Sequence, residues 1–115
     1  MSNLSTGKRG EELAAQALQQ AGYEIVARNW RCRYGEVDII AKLGGKLCFV
    51  EVKARRGSAH GAPQEAVNAH KRGQIAKAAA CYLAENYASE PECCFISAAV
   101  LLPQGEVELI EDFLL

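Results

Sequence analysis

No apolar run in this 115-residue chain approaches the length of a membrane-spanning helix, although half of the residues are hydrophobic. The first residues lack the apolar stretch of a secretory signal, so a cytoplasmic protein is expected. Cys-x-x-Cys spacing is also missing. Cys32, Cys48, Cys81, Cys93 and Cys94 are odd in number, which fits free thiols in a reducing compartment better than a disulfide framework or a zinc site. His60 and His70 have no partner at metal-ligand spacing and read as surface residues. There is no internal repeat and no low-complexity linker, so residues 1–115 read as a single domain, long enough for a core without staples.

Basic residues are absent from one third of the chain. Residues 85–115 hold seven acids and no Lys or Arg, whereas residues 53–77 hold six Lys or Arg against the single acid Glu65. The net charge of −1 argues neither for nor against a nucleic-acid partner. Charge blocks are usually solvated faces, but this basic block begins where the most informative stretch ends.

That stretch is Gly35-Glu36-Val37-Asp38-Ile39-Ile40, then Gly44-Gly45, then Phe49-Val50-Glu51-Val52-Lys53. Both halves have the β-branched and apolar content of strands, and the glycine pair signals a tight hairpin. Pairing Leu43 with Lys46 sets Asp38 across from Glu51 and Glu36 across from Lys53, all on one face. Cross-strand neighbours lie roughly 4.5–5.5 Å apart. Apolar residues fill both faces around these charges, so the hairpin should be central, and its carboxylates would be costly unless neutralised. A divalent cation would do so.

The remaining elements follow from periodicity. Leu4 to Ala21 reads as a helix with the apolar stripe Leu13, Ala14, Ala17, Leu18 and Ala21, stopped by Gly22. Glu12 falls opposite the stripe and Glu11 at its border, so Glu11 is the better placed to reach a site on the sheet; both also suit the helix dipole. Tyr23 to Asn29 suggests a first strand. In the following Trp30-Arg31-Cys32-Arg33-Tyr34, aromatic and basic residues interleave. This segment either stacks on bases and holds phosphates, with Arg31 and Arg33 as contacts, or closes one end of the core with Trp30. Ala54 to Ala62, with Arg55, Arg56 and His60, suits a loop beside a site, and Pro63 can open a helical region. A long helix is expected from about Asn68 to Glu85, with Lys71, Arg72 and Gln74 off its buried stripe. Phe95 to Leu102 reads as a buried strand, Pro103-Gln104-Gly105 as a turn, and Glu106 to Ile110 as an edge strand. The order α-β-β-β-α-β(-β) predicts an α/β sandwich, a small mixed sheet flanked by helices.

The helix acid, Asp38 and Glu51-x-Lys53 resemble the signature of the PD-(D/E)xK nuclease superfamily, which has a restriction-endonuclease-like fold. Gly7-x-x-Gly10-Glu11-x-x-Ala14, Gly35 to Ile40, Phe49 to Arg55, and Lys71 with Ala79-x-x-Tyr82-Leu83 resemble the YraN family of small bacterial proteins, itself similar to archaeal Holliday-junction resolvases. The resemblance implies Asp38 and Glu51 as carboxylate ligands of Mg²⁺ or Mn²⁺, with the Val52 carbonyl as a further ligand. It implies Lys53 as the residue that orients or activates water and Glu11 as the acid completing the site. Family members commonly carry Arg-Phe-Asp in the strand after the long helix, where this chain has Cys94-Phe95-Ile96.

Three functions are compatible with these features. The first is a metal-dependent endonuclease acting on DNA, including branched DNA, with phosphates held by Arg31, Arg33, Arg55, Arg56, Lys71 and Arg72. A two-fold homodimer would be the simplest arrangement for cutting both strands of a junction. The second is a nucleic-acid-binding module that does not cut. The third is a protein-interaction domain working through the acidic C-terminal edge.

Overall fold

The computed structural model describes residues 6–56 and 69–112. Its elements are α1 (Thr6–Gln20), β1 (Glu24–Cys32), β2 (Gly35–Leu43), β3 (Lys46–Arg56), α2 (Ala69–Asn86), β4 (Glu92–Leu102) and β5 (Glu106–Asp112). The expected element order and sandwich architecture are both present. His60 and Pro63 lie outside the described residues.

The five strands form one sheet in the order β1-β2-β3-β4-β5. All neighbours are antiparallel except β3 and β4, which run parallel. A parallel pair requires a crossover, and α2 lies within the chain that supplies it. The two helices cover opposite faces. Ala14, Ala15 and Leu18 of α1 pack with Ile39, Ala41, Cys48, Val50, Ile96 and Ala98. Ala78, Ala79 and Tyr82 of α2 pack with Val37, Ile40, Leu47 and Phe49 on the other face. Leu47 to Val50 are thus buried throughout, as a central strand enclosed on both faces should be.

The Gly44-Gly45 turn fixes the hairpin register. Gly44 has φ +60° and Gly45 is not in the left-handed region, the pattern of a type II′ turn with glycine at its first central position. Leu43 pairs with Lys46, and the pairing continues unbroken to Ile39 with Val50, as the sequence predicts. The first strand is longer than expected: Trp30, Arg31 and Cys32 belong to β1 and pair with Val37, Glu36 and Gly35. Trp30 packs edge-on against Tyr82 at 5.4 Å between ring centroids, so it belongs to the core rather than to a stacking loop.

Close contact between α1 and the sheet depends on Gly10. A Cβ there would lie 2.7 Å from the Ala54 Cβ, an atom that cannot swing aside. Gly10→Ala should therefore lower stability by about 1–2 kcal/mol, since overpacking outweighs the roughly 1 kcal/mol gain in helix propensity. Gly73 in α2 has open space around its Cβ position, so Gly73→Ala should raise stability by up to about 1 kcal/mol. Melting curves of the two variants should shift in opposite directions; a rise for Gly10→Ala would contradict this packing.

Candidate active site: a fork between two strands

The β2–β3 ladder ends at Ile39 and Val50, although both strands continue. Counting from the turn, hydrogen-bonded pairs recur every second residue, so the next would join Val37 to Val52. Instead the Val52 N–H donates to Asp38 Oδ2 at 2.8 Å. The carboxylate takes the place of a strand. Because N–H and C=O of one strand residue project to the same side, the Val52 carbonyl also points into this gap, where β2 offers no ladder partner.

Two irregularities aim Asp38 into the fork. Val37 and Ile40 face α2 while Ile39 faces α1, so the pleat alternation breaks beside Asp38. On β1, the register passes from Arg28–Ile39 to Trp30–Val37 and omits the intervening Asn29–Asp38 pair. Asn29 has φ +52°, a left-handed conformation that asparagine tolerates better than most residues. Its Nδ2 donates to Glu11 Oε1 at 3.3 Å, tethering the α1 acid beside the fork. Glu12 instead pairs with Arg28 at 3.2 Å.

Val52 and Ala54 pack towards α1, so alternation sends Glu51 and Lys53 to the α2 face. Glu51 is 5% exposed, the one buried charged residue among those described. Its Oε2 lies 2.6 Å from Lys71 Nζ, which arrives from α2. The hydrogen bond to Glu51 holds the Lys71 pKa above its ordinary value. Asp38 and Glu51 border an open cleft of about 600 Å³, with Lys71, Gln74, Arg31 and Arg33 around them. Burial pushes the Asp38 pKa up to about 6; the Val52 N–H opposes the rise, and the charges of Glu51, Glu11 and Glu36 add to it.

The other site residues anticipated from sequence fall in different surroundings. Glu36 pairs with Arg31 at 3.6 Å rather than with Lys53, because β2 has parted from β3 at that level. Lys53 is half-buried on β3 and makes no hydrogen bond or ion pair among the described residues. Arg33 and Arg31 are exposed, and the Arg33 guanidinium lies over Tyr34 at 5.5 Å. The Arg72 guanidinium stands 5.6 Å from the Phe95 ring, turned to the sheet. Arg55 and Arg56 end β3. Sequence reasoning missed Asn29, for which an asparagine inside a strand pattern was the only signal, and missed Lys71 as the partner of Glu51. Among the described residues, no group of three His, Cys, Asp or Glu side chains gathers to hold a metal by itself. The available hard donors are two carboxylates and one carbonyl.

The raised Asp38 pKa has a signed consequence. Between about 4 and about 6 the folded protein holds the Asp38 proton more tightly than the unfolded chain, so this residue's contribution to stability falls as pH rises through that window. The loss is on the order of 2–3 kcal/mol and constant above it. Asp38→Asn removes the charge and keeps an oxygen for the Val52 N–H. Melting curves from pH 4 to 8 should show the variant at or above wild type near pH 7, with the difference shrinking towards pH 4. A variant less stable at every pH would assign Asp38 a purely structural role.

Comparison with known proteins places the chain. The profile of the uncharacterised protein family UPF0102 matches residues 10–110, which include the whole fork. A UPF0102 protein of Syntrophus aciditrophicus is 46% identical over 112 residues, covering 96% of this chain and 88% of that protein. Another from Nocardia farcinica is 49% identical over 105 residues, covering 91% and 83%. A third, from Symbiobacterium thermophilum, is 51% identical over 89 residues, covering 77% and 75%. The family match runs through the helix acid, both strands of the fork and α2, and on it and these relatives the chain belongs to the UPF0102 family of small bacterial proteins.

Proposed function

We propose that this protein is a divalent-metal-dependent endonuclease that hydrolyses phosphodiester bonds in DNA, with branched DNA as its substrate class. The carrying observation is the fork itself, where the half-buried Asp38 and the buried Glu51 share one cleft at the point where the sheet opens. Stability alone does not favour this arrangement. Charges in a sheet interior are often matched or bettered by apolar residues of similar size. Carboxylates held beneath exposed arginines suit a site that binds a cation and a phosphate together.

The donor set fits Mg²⁺ or Mn²⁺. The Asp38 and Glu51 carboxylates and the Val52 carbonyl are hard oxygen ligands, to which waters would be added. A bound ion would supply Lewis acidity and a water of lowered pKa. The chain's own residues would provide the rest. Lys53, two residues beyond Glu51 and on its face, would orient the attacking water and offset phosphate charge. Glu11, tethered through Asn29, would hold a third carboxylate beside Asp38. Arg31 and Arg33 would grip the backbone at the rim, with Arg55, Arg56, Lys71 and Arg72 along the flanking DNA. A symmetric substrate would call for a two-fold dimer.

One observation favours a second reading, a nucleic-acid-binding module that does not cut: Lys71 itself supplies a positive charge beside Glu51. Incubation with labelled four-way junction, flap, duplex and single-stranded DNA in Mg²⁺, Mn²⁺ or EDTA separates the two. Metal-dependent cleavage is expected, and Lys53→Ala should lower it by about 10²-fold or more while DNA binding persists. Binding without cleavage in either metal would select the second reading, and absence of both would overturn both. Replacing Arg31 and Arg33 together by Ala should weaken binding to every sequence and flatten the slope of log affinity against log salt by roughly 2. An unchanged slope would place the DNA elsewhere.

A further inference from the structure

Glu51 is almost wholly buried, yet its counter-ion is not. Lys71 Nζ sits 2.6 Å from the carboxylate while the lysine side chain is 53% exposed, against 5% for Glu51. The ammonium therefore reaches a buried charge along a stem that runs through the open cleft, and it can withdraw without unpacking either core cluster. A structural ion pair in a sheet interior would bury both partners. Here only the Glu51 end of the pair is buried.

From this asymmetry we infer that Lys71 is a built-in competitor of the divalent cation for Glu51, holding the cleft charge-balanced without metal and passing to the substrate phosphate when metal enters. The inference rests on the metal-dependent reading given above and assigns Lys71 a positioning role in it. Charge counting supports the exchange. With Asp38 ionised, the three acids lining the cleft, Asp38, Glu51 and Glu36, are balanced by Lys71, Arg31 and Arg33. Entry of a dication leaves the cleft with an excess of positive charge, which phosphodiester groups offset. Metal and phosphate are then each bound better in the presence of the other, a reciprocal coupling between the two ligands.

Calorimetric titration with MnCl₂ and melting curves of wild type, Lys71→Met, Lys71→Arg and Glu51→Gln test the inference without any substrate. Lys71→Met should melt below wild type without metal, bind Mn²⁺ about tenfold or more tightly than wild type, and gain more in Tm from it. Lys71→Arg should keep wild-type affinity, and Glu51→Gln should bind weakly whatever stands at position 71. Equal Mn²⁺ affinity in wild type and Lys71→Met would overturn the competition and leave the metal-dependent reading standing. Absence of Mn²⁺ binding in both would overturn that reading together with the inference. Should Lys71→Met fail to fold with and without Mn²⁺, Lys71→Gln takes its place under the same outcomes.

Discussion

A single hydrogen bond, from the Val52 N–H to the Asp38 carboxylate, gives β3 a partner at the point where the sheet opens. An orphaned donor in a part-buried strand costs on the order of 1–3 kcal/mol, so two central strands rarely part unless something replaces the ladder. Here a side chain does. β3 remains anchored to β4 through Arg56 and Leu102, while β2 stays on β1 as far as Gly35 and Cys32. The opening is therefore confined to one seam, with rigid strands on either side.

The same seam concentrates charge. Asp38 is half-buried with other acids near, and burial above all pushes its pKa up to about 6. Glu51 is more deeply buried and depends on an ammonium supplied by a different element. Gly10 brings α1 against Ala54, and Asn29 then carries Glu11 towards the seam. Asp38 and Glu51 thus share one cleft where the β2–β3 ladder stops, and Glu11 is held on Asn29 of the neighbouring strand.

Much of this architecture was legible in the residues. A glycine pair between two apolar strands fixed the hairpin register, and the apolar run of β4 and the alternation of β5 marked the far side of the sheet. Short-range periodicity carries that information. The fork was not legible, because extending a register assumes that a ladder continues until its strands end; the pairing of Glu36 with Lys53 failed for that reason. Trp30 to Cys32 read as a loop because aromatic and basic residues interleave there, yet the same alternation serves a strand whose Trp30 faces Tyr82. Lys71 was placed correctly on α2 but not against Glu51, since no spacing rule links a helix to a strand across a long connection. At the Cys94-Phe95-Ile96 departure, Cys94 and Ile96 pack beneath α1, and the cation over Phe95 is Arg72 from α2.

The central claim is that the fork binds a divalent cation between Asp38 and Glu51. Crystals of the protein soaked in MnCl₂ and measured at the manganese absorption edge test it most directly. The account predicts one strong anomalous peak within ligand distance of both carboxylates and the Val52 carbonyl, with the Lys71 ammonium withdrawn from Glu51. A well-occupied Mn²⁺ elsewhere, or none at all with Lys71 still seated on Glu51, would contradict it.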